Sequence, residues 1–87
     1  MGGRKILVEV RCPATSKSYE FILPGKMTVK TVIRKMTEEI LFHENNMELF
    51  PEDSSLMLWD YDRKEALNKE YSLEQSGIYG GNILYLL

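Results

Sequence analysis

Few side chains in this sequence are of types that do covalent or metal chemistry, and their spacing keeps them apart. Cys12 is the only cysteine and His43 the only histidine. No internal disulfide, cysteine metal cluster or histidine-rich metal site can be assembled from them. A Cys–His nucleophile would also need a third group to orient the base, and the pattern supplies none. Cys12 ends an alternating stretch just before Pro13 and reads as an inert thiol. Glu38–Glu39 and Glu52–Asp53 are adjacent carboxylates, but sequence neighbours do not face one another, so both pairs read as solvated surface. Gly2–Gly3 and Gly80–Gly81 lack the Lys and Ser/Thr of a phosphate loop and the strand–turn–helix setting it needs. The expectation is a chain that binds rather than catalyses, with no cofactor and no metal.

Composition narrows the class of partner. With 87 residues the chain reads as one domain, 1–87, with a compact core and little room for a deep cavity. Its 44% apolar and 28% charged residues are ordinary for a soluble globular protein. No apolar run approaches the roughly 18 residues of a membrane span. The opening MGGRKILVEV lacks a signal-peptide pattern, and Ile6 stands where a myristoylation motif wants Ser or Thr. A cytoplasmic protein without membrane insertion is expected. The net charge of −2 hides a polarity: residues 1–36 carry +6 and residues 37–87 carry −8. Either the halves interleave as solvated surface, or a basic and an acidic face orient the domain on a partner. A pI near 5.4, with no aromatic-plus-basic motif, argues against nucleic acid.

The element that must organise the fold is TVKTVIRKMTEEILF, about residues 28–42. Val29, Val32, Ile33, Met36 and Ile40 repeat at helical spacing, and Thr28 is placed to cap the first turn through its hydroxyl. Lys30, Arg34 and Lys35 sit toward the N-terminal half, Glu38 and Glu39 toward the C-terminal half. The helix dipole prefers the reverse by about 0.3–1 kcal/mol per terminal charge. The i,i+4 pairs Arg34–Glu38 and Lys35–Glu39 recover about 0.2–0.5 kcal/mol each, so packing must hold the helix. Its basic start is a secondary candidate contact surface.

Everything else reads as short strands. Residues 4–11 alternate, with Ile6, Val8 and Val10 on one face and Leu7, Glu9 and Arg11 on the other. A turn-rich linker leads to 18–23, where Tyr19, Phe21 and Leu23 point inward and Ile22 interrupts the pattern. Asn45 or Asn46 can end the helix in a left-handed cap. In the loop 47–55, Leu49 and Phe50 plug the core edge. A third strand is expected over 56–61, a short edge strand over 65–67, one helical turn over Ser72–Ile78 ended by Gly77, and a last strand over 82–87. A single amphipathic helix among strands must lay its stripe on the sheet.

That order resembles the ubiquitin-like β-grasp, an α+β fold in which a mixed four- to five-stranded sheet packs on one main helix. The Pro24 break before the helix, Ser72-Leu73-Glu74-Gln75-Ser76-Gly77-Ile78 and Gly80-Gly81-Asn82-Ile83-Leu84-Tyr85-Leu86 carry the resemblance, with Asn82 where the family more often has Asp. The Leu58–Lys64 segment, LW-x-Y-D-R-K, and the ending L-x-x-x-G-I…G-x-x-L-x-L-L are most similar to the bacterial YukD/EsaB proteins of type VII (WXG100, ESX-like) secretion. Conjugated and sulfur-carrier members of the superfamily work through a mobile C-terminal Gly-Gly tail. Here Gly80–Gly81 precede the last strand, which implies a non-conjugated module; a carrier or modifier with an atypical C-terminus is the alternative. If the helix covers Ile6, Val8, Val10, Leu56, Leu58, Leu84 and Leu86, then Leu7, Met57, Trp59, Ile83 and Tyr85 fall on the open sheet face. Such a patch suits a protein partner, and the resemblance implies docking there, with secretion-machinery components as candidates. Cover by the 47–55 loop and weak homodimerisation are the competing uses of the patch.

Overall fold

The computed structural model describes residues 4–50 and 56–87; Gly2–Gly3 and the Glu52–Asp53 pair lie outside them. Among these described residues, five strands and one long helix follow in the order β1 (Lys5–Cys12), β2 (Lys17–Pro24), α1 (Val29–Glu44), β3 (Leu58–Asp60), β4 (Glu65–Ala66) and β5 (Asn82–Leu86). They form one sheet ordered β2-β1-β5-β3-β4. β1 pairs antiparallel with β2 and parallel with β5, and β3 runs antiparallel to β5 and to β4. The sheet is mixed, as expected, with β1 and β5 at its centre.

α1 lies across one face because its stripe has no other cover. Val29, Val32, Ile33, Met36 and Ile40 are buried against Ile6, Val8, Val10, Phe21, Leu23, Leu58, Leu84 and Leu86. Each fully buried side chain of this size contributes about 1.5–3 kcal/mol, which outweighs the adverse dipole. Leu73 and Ile78 close the core from the 72–78 turn, and Leu49, Phe50 and Leu56 pack at its margin.

The helix ends differ from the sequence expectation at one point. Asn45 takes the left-handed cap (φ 54°, ψ 42°), but Thr28 makes no side-chain cap bond; its hydroxyl lies 3.0 Å from that of Thr31. Carbonyls of a neighbouring loop take its place: Val29 N–H donates to Tyr71 O (2.7 Å) and Lys30 N–H to Lys69 O (3.1 Å). The orphan donors of the first turn are therefore satisfied by tertiary contact. Lys30 also pairs with Glu70 at 3.5 Å, which partly neutralises the basic start. Of the two i,i+4 pairs, Lys35–Glu39 closes at 3.4 Å, and Arg34–Glu38 forms no ion pair among the described residues.

β3 is shorter than 56–61, yet its pairing extends further. Met57 and Leu87 exchange backbone bonds (2.9 and 3.0 Å), and Tyr61 N–H donates to Ile83 O at 3.1 Å. The 72–78 segment is one hydrogen-bonded turn. Ser72 Oγ accepts from Gln75 N–H (3.0 Å) while Gln75 Oε1 accepts from Ser72 N–H (2.8 Å), a reciprocal capping box. Gly77 ends it at φ +75°, in the region where a Cβ is penalised.

Candidate protein-docking face of the sheet

The face away from α1 is set by strand parity. Residues 7, 9 and 11 of β1, 20 and 22 of β2, 83 and 85 of β5, and 57, 59 and 61 around β3 share it. Cross-strand register then fixes neighbours: Ile22 beside Leu7, Glu20 beside Glu9 beside Ile83, and Arg11 beside Tyr85 beside Trp59.

All five sequence-predicted residues lie on this face. Met57, Trp59, Ile83 and Tyr85 form one continuous group, with Trp59 and Tyr85 as direct partners. Leu7 belongs to a second apolar spot with Ile22, reached from the first only diagonally through Ile83. Trp59, Ile83 and Tyr85 are half-buried; Leu7 and Met57 remain 43% and 38% exposed.

The centre of the face is a polar–aromatic cluster that the sequence alone did not single out. Tyr61 and Tyr85 stack with ring centroids 5.9 Å apart and an interplanar angle of 19°. The Arg11 guanidinium carbon stands 5.6 Å from the Tyr61 centroid and 6.0 Å from that of Tyr85, within cation–π range. Lys64 Nζ approaches Tyr61 at 4.3 Å. Arg11 Nε donates to Glu9 Oε2 at 3.0 Å and Nη1 reaches Tyr85 Oη at 3.5 Å. Tyr85 first and Glu9 second raise the Arg11 pKa further above its already high value, so the guanidinium is a permanent cation. The signal for these residues was parity: Arg11 follows Leu7 and Glu9, and Tyr61 follows Met57 and Trp59.

Tyr61 and Lys64 are held in place from below by a buried polar latch. Asp60 and Asn82 are each 1% exposed. Asp60 Oδ1 accepts from Asp62 N–H (3.0 Å) and from Asn82 Nδ2 (3.3 Å), while its other oxygen lies 3.7 Å from Arg63 Nε. Arg63 also donates to the carbonyls of Ser76 and Gly77. Tyr79 O–H donates to Asp62 Oδ2 at 2.6 Å, a bond that raises the phenol's pKa. Thus the motif segment Leu58–Lys64 serves partly as structure and partly as surface.

Among the described residues the face holds no nucleophile–base pair. Cys12 is buried, and among the described residues no group of three or more His, Cys, Asp or Glu is placed to hold a metal ion. What it can do is present rigid aromatic area with fixed positive charge, the composition favoured where proteins recognise proteins.

No family model and no curated protein matches this sequence. Solved structures do. The EccD5 ubiquitin-like domain from Mycobacterium xenopi superposes with a TM-score of 0.75 at 16% identity, covering 97% of this chain and 93% of that one. The ubiquitin-like domain of the Mycobacterium tuberculosis type VII secretion system protein ECCD1 gives 0.73 at 13%, covering 97% and 98%. Caldiarchaeum subterraneum ubiquitin gives 0.69 at 18%, covering 95% and 91%. The fold is a ubiquitin-like β-grasp. Among its structural neighbours are ubiquitin-like domains of type VII secretion proteins, at identities that establish fold alone.

Proposed function

We propose that this chain is a non-catalytic, non-conjugated ubiquitin-like protein-interaction module. It acts in the cytoplasm as an accessory or regulatory component of a bacterial type VII secretion system of the YukD/EsaB kind, docking through Leu7, Met57, Trp59, Ile83 and Tyr85 around the Arg11–Tyr61–Tyr85 cluster. The observation that carries the proposal is the open face itself: aromatic, partly apolar, and fixed by a buried latch rather than left to mobile side chains. Likeness to ECCD-type domains supports the secretion context. Gly80–Gly81 supports the non-conjugated role. Gly81 N–H is bonded to Leu7 O (2.8 Å) and Asn82 N–H to Tyr79 O (3.1 Å), so the pair forms a tight turn feeding a central strand. No helix among the described residues is long and apolar enough to cross a membrane.

The test is affinity capture from the source organism with mass-spectrometric identification. Wild type runs beside a Met57→Glu/Trp59→Glu/Tyr85→Glu variant whose fold is verified by circular dichroism. Secretion-machinery proteins held by wild type and lost in the variant are expected. An unchanged partner list would retire the sheet face as the docking surface. Intact mass after incubation with ATP and an activating enzyme is expected to stay constant; an adenylated or conjugated C-terminus would make the chain a carrier instead.

A further inference from the structure

α1 buries one stripe on the sheet and turns the opposite one to solvent. With about 3.6 residues per turn, the line farthest from the buried stripe runs through Thr31, Arg34, Glu38 and Leu41, flanked by Lys30 and Phe42. Arg34 and Glu38 are exposed, and Thr31 and Leu41 are half-buried. Phe42 is 88% exposed, more than any other large apolar side chain described.

This line holds two opposite charges one turn apart that do not meet. Neither the Arg34 nor the Glu38 side chain has an ion-pair or hydrogen-bond partner among the described residues. The same spacing closes on the flank, where Lys35 reaches Glu39 at 3.4 Å. Along the axis the outward line is therefore basic, then acidic, then aromatic: Lys30, Arg34, Glu38, Phe42. Such an order opposes the helix dipole, and it is complementary to its own reverse.

We propose that α1 docks on α1 of a second copy of this chain, antiparallel, about a two-fold axis between Arg34 and Glu38. Arg34 then faces Glu38 of the second copy, and Glu38 faces its Arg34. Phe42 lies against the stem and ammonium of the second copy's Lys30, a cation–π contact with an apolar body. Thr31 meets Leu41. Every contact occurs twice, as a two-fold interface requires. A parallel pair would set Arg34 on Arg34 and Glu38 on Glu38, and like charges disfavour it. The link from Lys30 to Glu70, 3.5 Å between exposed side chains, is weak enough to exchange. A patch of about three helical turns a side falls short of the roughly 1,200 Å² of a stable complex, so the pair is transient. Because α1 covers the sheet face opposite Trp59 and Tyr85, both open faces of the pair point outward.

Sedimentation equilibrium and amide NMR of the full chain, over a rising concentration series at low and high salt, test this. Amides of 30–42 are expected to shift with concentration, while those of Ser18, Glu20, Ile22, Trp59 and Tyr85 stay fixed. High salt should weaken the association, since its charges are exposed. Arg34→Glu or Glu38→Arg alone should weaken it about tenfold, because two exposed contacts turn from attraction to repulsion. An equal mixture of these two variants sets Glu against Arg throughout and should associate again. The double variant Arg34→Glu/Glu38→Arg restores antiparallel complementarity and should match wild type. Phe42→Ala should weaken association about fivefold, and Met57→Glu should leave it unchanged. Circular dichroism verifies each fold. Cys12 is buried, so a spin label on Asn46→Cys reads orientation: it should broaden amides around Lys30 of an isotope-labelled second copy. Broadening around Phe42 instead would mean a parallel pair and overturn the proposal. Sedimentation that does not change with concentration would overturn it too. So would single reversals that associate like wild type, or concentration shifts centred on the β2 edge or on Trp59 and Tyr85.

Discussion

β2 and β4 close the sheet at its two ends, and they are built to opposite plans. β2 spans Lys17–Pro24, β4 only Glu65–Ala66. Around β4, Asp60, Asn82 and Arg63 tie the β3–β4 turn to the 72–77 turn through buried or shared hydrogen bonds. Around β2, the ties are an exposed ion pair, Lys17–Glu44, and the Tyr19 hydroxyl donating to the same carboxylate at 2.8 Å. Edge strands invite unwanted pairing, and shortness or charge blunts that tendency. β4 is blunted by length. β2 keeps its length and is guarded by Lys17, Glu20 and Pro24. In this domain the short edge is tied down by buried hydrogen bonds, and the long edge is guarded by charge and proline.

The contrast can be broken most severely at Asp60. Asp60→Ala would strand the Asn82 amide and the Asp62 N–H and remove one of the partners of Arg63. An expected loss of about 2–4 kcal/mol follows from leaving buried polar groups unpaired, read by urea denaturation. Faster amide exchange across 61–66 should accompany it. A loss below about 0.5 kcal/mol, the range of ordinary surface substitutions, would show that the latch does not hold that edge. Gly77→Ala is the next largest. Its φ of +75° is strained for any Cβ, and that Cβ would overlap the Arg63 guanidinium. About 1–2 kcal/mol should be lost, with β2 amides unaffected.

The smallest effect sharpens the β2 side. Lys17 first and the Tyr19 hydroxyl second hold the Glu44 carboxyl below its ordinary pKa of 4.5. The folded state therefore binds fewer protons there than the unfolded chain does. The stability Glu44 adds is present above the ordinary carboxylate value and is lost as pH falls through its depressed folded value. Glu44→Gln should flatten that part of the acid limb in a pH series of thermal melts, and exchange at Lys17–Tyr19 should rise. An acid limb identical to wild type would mean the tie carries no weight.

Much of this architecture was legible from residue order. The stripe Val29–Ile40 named the helix, the alternation of 4–11 and 82–87 named the central strands, and parity placed Met57, Trp59, Ile83 and Tyr85 on one face. What escaped reading depended on tertiary proximity. Thr28 looked like a side-chain cap because sequence shows its hydroxyl but not the carbonyls of Lys69 and Tyr71 that arrive from elsewhere. Asp60 shares parity with Leu58, yet a carboxylate in a core position becomes intelligible only once Asn82 and Arg63 are seen beside it. Arg11 joins the docking face because Tyr61 and Tyr85 converge on it from strands distant in the chain. Ile22, which interrupts an inward pattern, is 65% exposed and sits beside Leu7. The apparent irregularity belonged to the other face.

The parallel pairing of β1 with β5 has a consequence for the birth of the molecule. Val8 must find Asn82 and Arg11 must find Tyr85, so the centre of the sheet joins segments separated in synthesis by β2, α1, β3 and β4. Contacts this distant are slow to form because the loop must close before they repay it. The hairpin 5–24 and α1 can take shape as they emerge, but the stripe of α1 gains its full cover only when 82–86 arrives. Until then a growing chain displays Val8, Val10 and Met36 to its surroundings. That window of exposure to chaperones and to aggregation closes once β5 has paired with β1.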